Sequence, residues 1–373
     1  MELAREETGL ADFGDPWFRA PLEKLLEFIH RDLGPLPAND PRVQILVGNL
    51  CDRLRLMDHL KRHPEVRAQP LDVAAVIIVG RGGSTLLQRL LATSTQLTSI
   101  HYWELACPIP APDEPPGDAS RRIARGQARI DAMYEATPTL KGMHPMDAMT
   151  YDEEIVLMER SFLSLMYASY FNLPDYMPWQ RAQDHGKAYQ ELKLWLQVLT
   201  AQAPQRAGRR WLLKSLHHLL SGGLHCLTET FPGTKLIMTH RDLTDVIASS
   251  CSAQAMLLRN FGNPVDPRTL GPRWVSMYEN ALHDMMAVRR AQPGRFIDLQ
   301  YRELIADPLG QAQHVRQRLG LSLRDEDQMR AAEWLKNNSR DKHPPHEYRL
   351  EDYGLSAPMI AEAFKFYHDA YVS

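Results

Sequence analysis

The chain has 373 residues, with 43 Lys+Arg against 46 Asp+Glu and a formal net charge of −3. That balance excludes a general nucleic-acid binder, which needs a broad positive field, although a local basic pocket is still allowed. A content of 44% hydrophobic and 24% charged residues fits an ordered globular chain with a sizeable core and excludes dominant disorder.

The longest apolar run, residues 73–80, falls far short of the ~20 residues of a membrane helix. The opening MELAREETG is acidic and without an apolar stretch, unlike a secretory signal. Cys51, Cys107, Cys226 and Cys251 are scattered, with no CxxC or zinc spacing. These features predict a cytoplasmic protein with reduced thiols and no transmembrane segment.

Residues 1–70 read as a helical lead. Leu22, Leu25, Leu26 and Ile29 recur on one face, and Gly34-Pro35 ends that run. Asp40-Pro41 caps a second helix, striped by Val43, Leu46, Leu50, Leu54, Met57 and Leu60. No chemistry is visible there, and the lead is expected to pack on the main domain.

At Val73 the pattern changes to VAAVIIV, a two-sided apolar run of the kind found in central parallel strands. Further runs lie at residues 210–214, 235–239 and 295–299, with helical stretches between them. Strands alternating with helices predict an α/β protein of three layers, a parallel sheet with helices on both faces. Residues 105–204 interrupt this alternation. They open with PIPAPDEPPGD, continue with a helix predicted over 153–170, and are rich in Met and aromatic residues such as Met143, Met146, Met149, Tyr151, Tyr176, Met177 and Trp179. Such side chains are more often core than ligand pocket.

The segment VAAVIIVGRGGSTLLQRLLA carries the first chemistry. A strand ends at Gly80, Arg81-Gly82-Gly83 turn, and Ser84-Thr85 open an apolar helix. Glycines let backbone N–H groups converge on an anion, and the helix N-terminus and hydroxyls add to it. The Gly-Lys pair of a Walker A loop is absent. Further on, LIMTHRDLTDVIASS reads as strand, turn and helix. It places Arg241 at the C-terminal end of a strand, where open α/β sheets bind ligands, with Ser249 eight residues later. An Arg and a hydroxyl can hold a terminal phosphate; the alternative is an ion pair of Arg241 with Asp242 or Asp245.

With these elements in order, the chain resembles the sulfotransferases that use 3′-phosphoadenylyl sulfate (PAPS), and more closely the bacterial sulfotransferase-family proteins with a helical N-terminal lead. Residues 81–87, RGGSTLL, are similar to the family's PRSGTTLL-like turn, which implies that Arg81, Gly82, Gly83, Ser84, Thr85 and Leu86 bind the 5′-phosphosulfate end. Arg241 and Ser249 match the family's Arg and Ser for the 3′-phosphate. His101-Tyr102-Trp103-Glu104 before Pro108 and Pro110 is similar to the WEL-to-PxP stretch. Residues 211–214 with His217 are similar to LLKSPxH, and Phe231-Pro232-Gly233 to the FPDA turn. YRELIADP at 301–308 and residues 343–355 are similar to two C-terminal family segments. The sequence departs from the pattern at Gly82, at Leu216 and Leu243 where prolines are usual, and at Pro344-Pro345.

The resemblance implies one enlarged P-loop-like domain. Its lead spans 1–70, its cofactor-binding core 71–104 and 205–373, and its helical acceptor-side insertion 105–204. It also implies in-line transfer of a sulfuryl group from PAPS to a hydroxyl, less often an amine, of a small apolar or aromatic acceptor, with adenosine 3′,5′-bisphosphate as product. No metal is expected, because the sulfuryl group carries less charge than a phosphoryl group and no carboxylate cage is evident. Arg81 and then Lys214 are expected to stabilise the leaving phosphate. Glu104 is the expected general base, with His217 and His101 as rivals. Tyr301 is expected to stack on adenine or close the cofactor site, and residues 340–343, with Arg340 and Lys342, to fold over the 3′-phosphate. Two other readings share the strand-loop-helix: a P-loop kinase or NTPase, with Phe296-Ile297-Asp298 as a weak Walker B segment, and a non-catalytic nucleotide-bisphosphate-binding protein. The missing Gly-Lys pair and the weakness of that segment speak against the first, and the joint presence of Arg81, Lys214, Arg241 and Glu104 speaks against the second.

Overall fold

A computed structural model describes residues 1–115, 117–137, 141, 145–338 and 349–372. Met143, Arg340, Lys342 and Pro344-Pro345 lie outside the described residues. Five parallel strands form the sheet: β1 (Val73–Ile77), β2 (Leu97–Thr98), β3 (Arg210–Lys214), β4 (Lys235–His240) and β5 (Phe296–Gln300), in the order β2-β3-β1-β4-β5. Four match the apolar runs to within a few residues. The edge strand β2 was not expected, because two residues are too few to make a run.

The sheet is covered on both faces, as two-sided apolar strands require. Val73, Val76 and Ile78 face one core, together with Trp211, Leu213, Leu236 and Met238. Ala75, Ile77 and Val79 face the other, with Leu87, Leu90 and Leu91 of the helix Ser84–Leu91. A register shift between Val73 and Ala75 puts Ala74 on the second face as well. β1 connects through the helix Ser84–Leu91 towards β2 on one side of the sheet. β4 connects through the helices Leu243–Asn260 and Leu270–Ala291 to β5 on the other. Adjacent strands whose connections diverge leave a crevice at their C-terminal ends, here between β1 and β4.

The lead forms helices Arg19–Leu33 and Pro41–Arg62, the second capped as expected by the Asp40 carboxylate, which accepts from the Arg42 amide. Most of its apolar surface packs on the insertion: Phe18, Leu22, Leu25, Phe28, Leu46, Leu50 and Leu54 share a core with Phe162, Tyr167, Phe171 and Tyr176. Leu56 and Leu60 reach the core beneath the sheet. The expected face of the first helix is corrected at one position. Leu26 is 46% exposed while Phe28 is buried, because Phe28, three residues after Leu25, completes the stripe and Leu26 lies off its edge.

The helix expected over 153–170 is broken. Ile155–Met158 is helical, Glu159–Ser161 is a 3₁₀ turn, Phe162 is left-handed at φ 59°, and helix resumes at Met166–Phe171. Ser161 Oγ donates to the Met158 carbonyl and accepts from the Leu163 amide, and Ser164 Oγ accepts from Met166. Side-chain bonds of this kind take over backbone groups that a continuous helix would use. Among the described residues no helix is long and apolar enough to cross a membrane.

Phe28→Ala is expected to lower unfolding stability by about 3–5 kcal/mol, and Leu26→Ala by no more than about 0.5 kcal/mol. Urea midpoints of the two variants check the assignment of the face.

Candidate active site

The loop after β1 turns on two left-handed residues, Arg81 at φ 58° and Gly83 at φ 80°. Gly83 is the N-cap of the helix Ser84–Leu91, and no side chain caps that end. The first amides of a helix have no partner within it, so this turn presents free N–H groups and the positive end of the helix dipole to the crevice. A Cβ on Gly82 would lie 2.5 Å from Thr239 Oγ1, and one on Gly83 would lie 2.9 Å from Leu304 Cδ2. Thr239 Oγ1 is itself buried with no hydrogen-bond partner among the described residues. Gly82 thus leaves room for a hydroxyl from the neighbouring strand where the related loops carry their own. Thr239 had no motif to mark it; its place beside the loop follows only from β1 and β4 being neighbours.

Arg81, Arg241, Ser249 and Tyr301 meet at this loop. Arg81 Nε donates to Ser249 Oγ at 2.7 Å, and Arg241 Nη1 donates to the Arg81 carbonyl at 2.7 Å. The Arg241 guanidinium lies 4.3 Å from the centroid of the Tyr301 ring. It also pairs with Asp245 at 2.8 Å, so the alternative reading of a local ion pair is present alongside the ligand-facing one. Leu243, where proline is usual, donates its amide to His368 Nε2 at 3.4 Å, a bond proline could not make.

From the other side of β1, Lys214 at the end of β3 brings its ammonium to the loop. Its Nζ is 3.3 Å from Thr85 Oγ1 and 2.5 Å from Glu153 Oε1. Lys214 is almost fully buried, while the Glu153 side chain remains 29% exposed. Glu153 is a second residue without a sequence signal: it lies sixty-one positions from its partner.

Glu104 and His101 are placed elsewhere. Both Glu104 oxygens are taken by Arg206, at 2.7 and 2.6 Å, and Oε2 also accepts from the His101 amide and lies 3.2 Å from His101 Nδ1. Glu104 is thereby part of a capping box that opens the short helix Tyr102–Ala106. Burial alone would push its carboxyl up, but the Arg206 charge and the hydrogen bonds from His101 and Arg206 hold it down at about 2. A carboxylate so buried and so weakly basic is a poor proton acceptor, which speaks against the base role expected of it. The His101 ring stacks on Tyr151, with centroids 4.6 Å apart. His217 is buried, with Nε2 unpartnered among the described residues and Nδ1 3.5 Å from the Leu165 amide. Burial and the neighbouring His218 and His185 keep its ring neutral, well below the ordinary imidazole range. Asp298, the weak Walker B candidate, is paired with Arg289 and His240.

A sequence model of the sulfotransferase family matches residues 75–325, more than half of the chain. Among solved structures, the chain is similar to sulfotransferase STF9 from Mycobacterium avium, with 22% identity and a TM-score of 0.86 over 100% of this chain and 96% of that one. It is also similar to sulfotransferase STF1 from Mycobacterium tuberculosis H37Rv, with 26% identity and a TM-score of 0.81 over 97% of each chain. No curated protein matches the sequence.

Glu104→Gln is expected to destabilise the fold by about 3–5 kcal/mol, because it leaves the buried Arg206 without its full counter-charge. The folded-state pKa of Glu104 is depressed, so its contribution is present above pH 4.5 and lost as the pH falls towards about 2. Unfolding measured across that window should show a steep loss in the parent that is flattened in Glu104→Gln.

Proposed function

The chain belongs to the sulfotransferase family, and on that premise we propose that its sulfuryl donor is PAPS and its acceptor a small molecule bearing a hydroxyl. The single observation that carries this reading is the convergence of Arg81, Lys214 and Arg241, from three separate strand ends, on one glycine turn at a helix N-terminus. The orphaned Thr239 hydroxyl, held against Gly82 where a side chain would displace it, supports an anionic group lying against the loop. When bound, PAPS supplies an activated sulfuryl group whose departure leaves negative charge on the 5′-phosphate. Arg81, Lys214 and the first amides of the helix Ser84–Leu91 hold fixed positive charge for that end. Arg241 and Ser249 hold the 3′-phosphate, with Arg241 steadied by Asp245 and the Tyr301 ring beside it.

Glu153 is the base this reading favours. Its side chain is 29% exposed and sits beside the Lys214 ammonium, which supports its meeting an acceptor hydroxyl there. His217 is the second choice, neutral and with a free Nε2, but it is closed from solvent. Leu216, Val156 and Leu165 are partly buried apolar neighbours of these residues, and they support an apolar or aromatic acceptor. The lead, insertion and sheet, which share one core through Leu56 and Leu60, are proposed as one domain.

Calorimetry should give tighter binding of adenosine 3′,5′-bisphosphate than of ATP with magnesium; the reverse order would sink the assignment of the donor. Glu153→Gln is expected to keep bisphosphate affinity within about threefold while lowering sulfuryl transfer from labelled PAPS to a panel of phenols by about 100-fold or more. Transfer at the parent rate would move the base role to His217.

A further inference from the structure

Lys214 is gripped at both ends by consecutive carboxylates. Glu153 takes its side chain, and Glu154 Oε2 accepts from its main-chain amide at 3.0 Å. The second bond has a cause in the sheet. Along β3, amides alternate in direction: Trp211 and Ser215 donate towards β1, to Asp72 and Ile77, while Arg210 donates to Gln96 beside β2. Lys214 therefore points its amide to the β2 side, but β2 ends at Thr98, paired with Trp211, and offers no acceptor that far along. Glu154 fills the vacancy with a side chain. Its other oxygen lies 2.6 Å from His218 Nε2, and His218 Nδ1 lies 2.9 Å from the Tyr189 hydroxyl oxygen. An imidazole protonated on Nε2 satisfies both contacts, donating to the carboxylate and accepting from the phenol. Glu154, His218 and Tyr189 are each fully buried.

We infer that the Glu154–His218–Tyr189 chain is a positioning device for the reaction: it fixes the end of β3 so that Lys214 and, through its neighbour, Glu153 stay aimed at the loop. A carboxylate removed from water is tolerable only with all its bonds made, and breaking one partner of such a set is costly. The bonds it makes here lead to one place, the backbone of Lys214. None of the three residues touches the donor or acceptor in this arrangement; they act through Lys214. The inference rests on the reading of Lys214 as a donor contact.

The test uses the full chain and the sulfate released from labelled PAPS to water, a turnover that needs no identified acceptor. Glu154→Gln is expected to lower kcat about tenfold with KM for PAPS within about threefold, and Glu154→Gln combined with Lys214→Ala to be no slower than Lys214→Ala alone. Tyr189→Phe, which keeps the buried ring and removes only the hydroxyl, goes through the same cycle and keeps the test open if Glu154→Gln does not fold. Losses that simply multiply with that of Lys214→Ala, or no loss at all, would overturn the positioning role while leaving Lys214 in place. Parent-like turnover of Lys214→Ala would instead overturn the reading of Lys214 itself.

Discussion

An ammonium group buried at the end of a parallel strand is the constraint around which this molecule is arranged. Lys214 has little solvent to stabilise it, so negative charge must be brought to it through protein. That charge comes from Glu153, in the middle of the long insertion, while its neighbour Glu154 takes the main-chain amide. Delivering two consecutive carboxylates to one strand end dictates how the chain enters the segment that follows. Glu154 is drawn into the core, and the helix beyond it is a single turn that gives way to a 3₁₀ turn and the left-handed Phe162. The insertion is thus a support for the end of β3.

The crevice between β1 and β4 follows from strand order and gathers charge that the composition hides. A net charge of −3 gives no hint that three cationic side chains meet at one loop. Arg81 and Arg241 arrive from adjacent strand ends and Lys214 from the opposite neighbour of β1. The departures from the family pattern also find physical reasons there. Gly82 lacks a hydroxyl but admits that of Thr239, and Leu243 lacks the rigidity of proline but gives its amide to His368.

Glu104 shows how little a motif says about the partners of its side chains. The stretch from His101 to Glu104 opens a short helix just beyond the edge strand. What its letters do not display is Arg206, one hundred and two residues away, whose guanidinium occupies both carboxylate oxygens and lies over the Trp211 ring. A carboxylate facing a free cleft and one locked to a buried arginine look alike in a sequence, and only the partner separates them. Glu153 is the converse case, an unremarked residue made interesting by what it touches.

Local pattern was sufficient for much of this protein. The apolar runs of β1, β3, β4 and β5, the Asp40 cap, the glycine turn before Ser84 and the Arg241-to-Ser249 spacing all depend on residues within a few positions of each other, where propensity and periodicity act. β2 escaped because two residues carry no period, Leu26 because a stripe has edges, and the helix over 153–170 because its serines bond nearby backbone groups and its buried charges pair with distant residues. The pairing of Glu153 and Glu154 with Lys214, of Arg206 with Glu104 and of Thr239 with the loop lies beyond any local rule. Electrostatic partners are chosen by distance in space, and the strand order that sets those distances is a property of the folded chain.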